Sequence, residues 1–134
     1  MIKDIPELLV EDIAIAIVME ENEVGETIWN SYFINYKKEK IETVLVTSTG
    51  YGVISNEKVS TSTLRHFLDT IDAFSFMQIE PIVQEVFGIN NEYWVSFYHN
   101  KHLYDKKFIF LAESIKVDNL INIPLLNKKG VMIK

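Results

Sequence analysis

The chain contains no cysteine. Disulfides, thiolate nucleophiles and thiolate zinc sites are therefore excluded. Long hydrophobic runs are also lacking. The longest uncharged apolar run in the first half, Ile13 to Met19, is far short of the roughly 20 residues that span a bilayer. There is no glycine-rich run followed by Lys-Ser/Thr, so no phosphate loop. Gly50-Tyr51-Gly52 lacks the third glycine of a dinucleotide fingerprint, and it is read as a turn. No nucleophile-elbow pattern accompanies the serines. Arginine is nearly absent: Arg65 stands alone beside twelve lysines.

What is present is ordinary globular composition, 48% hydrophobic and 24% charged over 134 residues. A chain of this size can bury about two-thirds of its unfolded surface without covalent staples, and one globular domain over 1–134 is expected. The opening Met1-Ile2-Lys3-Asp4-Ile5-Pro6-Glu7 is broken by acids and a proline. It does not read as a signal peptide, and a cytoplasmic location without membrane contact is the default expectation. The net charge of −6 is uneven. Residues 1–26 hold eight acids and one lysine, whereas seven lysines face three acids from Lys101 onward. The overall sign opposes binding to phosphate backbones, so nucleic acid is not expected as a partner.

Short apolar segments separated by polar turns dominate the chain. Ile13, Ile15 and Ile17 alternate with Ala14, Ala16 and Val18, which predicts a strand whose alanine face packs closely on another element. Ile28 to Tyr36 and Ile41 to Ser48 read as strands of one hairpin, the second ended by Gly50 and Gly52 through their access to positive φ. Over Val59 to Ile71, Leu64, Phe67, Leu68 and Ile71 keep helical spacing, and Ser62 or Thr63 could cap a helix. The Lys58-to-Thr63 run favours extended chain, and a strand is the reading adopted. Phe74 to Glu80 is a strand. Pro81 then fits the first position of a two-turn helix near 81–87, stopped by Gly88. Tyr93 to His99 and Leu103 to Leu111 form a hairpin with an exposed tip. The apolar tail, Ile121 to Leu126 and Val131 to Ile133, is expected to pack. Its basic surroundings and the acidic first 26 residues suit pairing of the two ends, within one chain or across the two-fold axis of a homodimer. The fold class expected is mainly β, an antiparallel β-sandwich of immunoglobulin-like layout with about seven strands.

Three polar features carry chemistry. His99 and His102 would face each other across a two-residue turn, near enough to share a divalent metal with Asp105. A polar hairpin tip explains them as well, and no metal or other cofactor is expected. Glu80, Glu85 and Glu92 offer carboxylates for acid–base work, although carboxylates this common usually decorate a surface. The densest polar stretch is Lys58 to His66. Its Ser62, Thr63, Arg65 and His66 are the candidate ligand site, since a guanidinium fork beside hydroxyls suits a phosphate or carboxylate. The plainer alternative is a strand edge with Arg65 paired to a structural acid. No residue is assigned a catalytic role.

Trp29-Asn30, Tyr32 to Asn35, Ser48-Thr49-Gly50-Tyr51, Ser60 to His66, Ile79-Glu80, Asn90-Asn91-Glu92 and Asp105 to Phe108 together resemble a small single-domain family of Bacteroidetes-type bacteria. The resemblance spans nearly the whole chain. It implies a lineage and no activity. Some similar sequences carry the label of a phenylalanyl-tRNA synthetase subunit, but the chain is too short for a synthetase core and shows none of its motifs. The reading adopted is a non-catalytic binding or protein-interaction module. The alternative is a small ligand- or anion-binding domain, or an enzyme, using the Arg65–His66 region. A third is an RNA-associated accessory protein, which would need exposed aromatics between basic residues.

Overall fold

A computed structural model describes residues 8–134; the opening segment read above for signal-peptide character lies outside the described residues. The described residues form ten strands: β1 (Ile13–Glu21), β2 (Thr27–Asn35), β3 (Ile41–Ile54), β4 (Glu57–Ser60), β5 (Leu64–Ile71), β6 (Ser75–Ile82), β7 (Asn90–His99), β8 (His102–Phe110), β9 (Ile121–Ile123) and β10 (Lys128–Ile133). They make two antiparallel sheets. The first has the order β6-β2-β1-β10-β9; in the second, β3 pairs with β7 on one edge and with β4 and then β5 on the other, and β8 lies outside β7. This is the two-layer antiparallel sandwich expected from the sequence, with ten strands instead of about seven. Among the described residues no helix is long and apolar enough to cross a membrane.

The core lies between the sheets. Ile13, Ile15, Ile17 and Phe33 from the first sheet meet Val44, Val46, Val95, Phe97 and Phe108 from the second. The opposite face of β1 is buried too. Ala14, Ala16 and Val18 are 0% exposed and pack with Tyr32, Ile34, Ile123, Leu126 and Met132. The tail therefore packs on its own chain: β10 lies antiparallel to β1, with Ala16 opposite Met132 and Val18 opposite Gly130. A Cβ at Gly130 would sit 2.6 Å from the Ile17 carbonyl oxygen, so only glycine fits this strand contact. The opposed charges of the two ends meet here, because Lys128 donates to Glu20, which also accepts from Asn30 and Tyr32. Burial alone would raise the Glu20 carboxyl. The bonds from Lys128, Asn30 and Tyr32 and the lysine charge outweigh it, and the group stays below its ordinary value.

Several local expectations are corrected. β2 does not form a hairpin with β3; it pairs with β1 and β6, and the chain changes sheets between Asn35 and Ile41. Asn35 shapes this crossing. Its amide donates to the carbonyls of Glu39, Ile71 and Asp72, and its side-chain oxygen accepts from Lys37 N–H. Gly50 and Gly52 do not end β3, which continues to Ile54. Their value is close approach: a Cβ on either would press on Ile89 at 3.0–3.1 Å. The strand turns instead at Ser55-Asn56, both at positive φ, as a two-residue hairpin loop requires. Pro81 is not a helix start. It lies in β6, an edge strand of the first sheet, where a missing N–H is tolerated. The helix expected near 81–87 is a single 3-10 turn at Gln84–Gly88. Val59 to Ile71 is extended, as read, but is divided between β4 and β5.

Candidate functional site

A bulge in β6 creates the site. Ser31 pairs with Glu80, yet the next residue, Tyr32, pairs with Gln78, so Ile79 is the extra residue. Alternation along a strand would point Gln78 and Glu80 the same way. The inserted residue reverses this and turns Glu80 inward while Gln78 bonds to Asn30 on the outer face. The Glu80 side chain is 14% exposed.

Three strands of the second sheet supply donors to this carboxylate. Oε1 accepts from Ser48 Oγ of β3 at 2.9 Å and lies 2.8 Å from His66 Nε2 of β5. Oε2 accepts from the Tyr93 hydroxyl of β7 at 3.1 Å. Ser31 Oγ donates to the Glu80 backbone carbonyl. The Ser48 proton is thus directed at the carboxylate and not at His66, so the trio is not the serine–histidine–acid relay of a hydrolase. A carboxylate holding three donors joins the sheets and fixes its own orientation.

Above Glu80 opens a cleft of about 320 Å³. Ser48, Thr49, Thr61, Ser62, Asn91 and Glu92 contribute polar groups, and Leu64, Pro81, Ile82, Val83 and Val86 an apolar wall. One wall comes from the hydroxyl-rich run. Thr61 leaves the sheet beside Gly50, donating its N–H to the Gly50 carbonyl and accepting the Gly50 N–H on Oγ1, each at 2.8 Å. Part of that run is therefore explained by pairing with β3.

The four residues singled out in the sequence are not brought together. Ser62 lines the cleft. Thr63 bonds to Thr49 Oγ1 at 3.3 Å. His66 reaches the site only through Glu80. Arg65, next to His66 on β5, projects from the opposite face and is exposed; among the described residues it makes no ion pair. Thr47 lies between it and Trp94 across the outer surface of the second sheet. His99 and His102 do face each other across Asn100-Lys101, both at positive φ. His99 bonds to Glu39 at 3.1 Å. Among the described residues no group of three or more histidine and carboxylate side chains is placed to hold a metal ion. Glu80 is the residue that sequence reasoning undervalued, for its inward direction depends on a one-residue bulge.

Burial raises the Tyr93 hydroxyl well above its ordinary value, and the Glu80 charge raises it further. Burial, then the bond to Glu20, pushes Tyr32 up to about 12. Both therefore keep their protons in the fold after an unfolded tyrosine has begun to lose its own near pH 10. The stability Tyr32 contributes is complete below pH 10 and is lost as pH rises through 12, and that of Tyr93 begins to fall above pH 10 and is lost at higher pH still. Urea midpoints measured from pH 9 to 12 should fall steeply for the wild type and less steeply for Tyr32→Phe/Tyr93→Phe. Parallel profiles would show that these hydroxyls do not drive the alkaline transition.

No family model matches the chain, and no curated protein matches it.

Proposed function

We propose that this chain is a non-catalytic binding module that meets a protein partner through the outer face of its second sheet. The contrast between the two outer faces supports this reading. The first sheet covers the centre of its own outer face, down to 0% exposure at Ala14, Ala16 and Val18, and leaves Phe76 and Ile121 exposed only on its edge strands β6 and β9. The second sheet leaves Phe67 63%, Trp94 45% and Leu103 54% exposed. Strand register places these three on one surface with Leu45, Thr47 and Ser96. Arg65, Lys107, Asp105 and Glu92 lie around and among them. An apolar centre with charges of both signs at its margin is the anatomy of a protein–protein interface. Trp94 is the natural anchor: its indole N–H donates to Asp105 at 3.1 Å and the Lys107 ammonium lies 4.8 Å from its ring centre.

The same surface speaks against nucleic acid. Arg65, Thr47, Trp94 and Lys107 form a cross-strand row with an aromatic between two cations, as single-strand binders use. Asp105 and Glu92 occupy the neighbouring rows, so the charge is balanced where phosphates would lie. The resemblance to the Bacteroidetes-type family suggests a lineage for the module and adds nothing about its partner.

The test replaces Leu103 with a photo-crosslinking residue and irradiates extract of the native cell. We expect a saturable protein adduct that disappears in Phe67→Ser/Trp94→Ser and persists in Glu85→Gln. The three positions are exposed, and melting curves check that both variants stay folded. Equal adducts with and without Phe67 and Trp94, or adducts to nucleic acid, would overturn the reading.

A further inference from the structure

We infer that the cleft above Glu80 is a separate binding site for a small organic ammonium ion, a primary amine carried on a short hydrocarbon chain. The cleft lies within the volume range of small-molecule sites. Of its lining residues only Glu80 and Glu92 are charged, and both are negative. An anion is therefore disfavoured, and the anion site first read around Arg65 is not this one. Glu80 is held for the purpose. Oε1 takes two donors and Oε2 one, and a carboxylate has room for about four. The place left on Oε2 suits one N–H of an ammonium group. Glu92 borders the cleft, but its side chain turns to the outer face of the second sheet beside Tyr51, so Glu80 is the carboxylate that meets a ligand. Because Glu80 is largely screened from water, its attraction for a cation is weakened less by solvent and salt than that of a surface acid.

The rest of the lining selects an organic cation over a metal ion. One carboxylate is too few for a calcium or zinc shell, and the described residues assemble no group of three ligands. Pro81, Ile82, Val83 and Val86 instead present a hydrocarbon wall, which favours methylene groups over water.

The experiment titrates the full chain with n-butylammonium chloride, sodium butyrate and calcium chloride at matched ionic strength, followed by amide ¹H–¹⁵N shifts. Butylammonium should move the amides around residues 48–50, 61–62, 80–86 and 91–93, with a dissociation constant on the order of 1 mM for so small a ligand. Butyrate and calcium should leave these amides unmoved. Val83→Lys, at an exposed position of the apolar wall, should weaken butylammonium binding by roughly threefold or more through like-charge repulsion, and Glu80→Gln should abolish the localised shifts. If Glu80→Gln does not fold, Val83→Lys decides alone. Butyrate or calcium acting on the same amides, butylammonium shifts scattered over the surface, or unweakened binding in Val83→Lys would each overturn the site. The partner-binding face is tested by different residues, so either proposal can fail without the other.

Discussion

A chain ending at Asn119 should show no cooperative unfolding transition. The truncation removes β9 and β10, leaving one edge of β1 without its ladder. It also strips Ile123, Leu126 and Met132 from the buried face formed by Ala14, Ala16, Val18, Tyr32 and Ile34. Full burial of an aliphatic side chain contributes about 1.5–3 kcal/mol, and three of them approach the whole stability of a small domain, about 5–15 kcal/mol. The tail also holds Lys128, a donor to Glu20. Thermal melting by circular dichroism, with sedimentation to detect aggregation, measures the outcome. A truncated protein with the full melting temperature and unchanged sedimentation would mean that the tail is dispensable.

Glu80→Ala should be the most damaging single substitution of a carboxylate. It leaves the donors on Ser48, His66 and Tyr93 without their acceptor in a partly buried place. Each buried donor deprived of a partner costs about 1–3 kcal/mol. Residual access to water through the cleft limits the sum, so a loss of about 3 kcal/mol and a fall of roughly 10 °C in melting temperature are expected. Glu85→Ala, five residues on and exposed, should change stability by about 0.5 kcal/mol or less. Urea denaturation of the two variants decides the matter, since equal losses would reduce Glu80 to an ordinary surface acid. Glu80→Gln keeps one acceptor and should fall between them.

The same residue shows where sequence reading stops. Alternation in Ile13 to Val18 marks β1 as a strand, and both faces of that pattern prove to be buried. The β7–β8 hairpin is legible because Asn100-Lys101 joins two aromatic-rich runs at a two-residue turn. The apolar tail demands burial, and it receives it on β1. These features follow from local pattern and from the cost of exposing apolar surface. Pairing over distance does not. Ile28–Tyr36 and Ile41–Ser48 are neighbours in the chain, and a hairpin is the default connection, but three carbonyls gathered around the Asn35 amide redirect the chain to the other sheet. Gly50 and Gly52 look like turn residues because their role, clearance for Ile89, appears only once the partner is in place. Pro81 with Ile82, Val83, Val86 and Phe87 imitates a helix start, whereas an edge strand accepts that proline equally well. Arg65 and His66 read as one site because they are adjacent, and in a strand adjacency means opposite faces. For Glu80 no local signal exists: its direction is set by the register of β6 against β2.

The position of β1 has a consequence for synthesis. β2 and β6 follow it in the chain and can build one side of its sheet as synthesis proceeds. Its other neighbour, β10, comprises Lys128–Ile133. The first sheet is thus closed only when β10 has been made, long after β1, and until then Ile-Ala-Ile-Ala-Ile-Val keeps an unpaired edge. Such a segment, β-branched, uncharged and free of proline, is the kind that joins other chains edge to edge. At about 5–20 residues per second, the interval between β1 and β10 lasts on the order of 10 s. Growing chains on one polysome are close together for that time. Delay in translating the segment between β1 and β10 would therefore be more hazardous to this protein than delay before β1 is made.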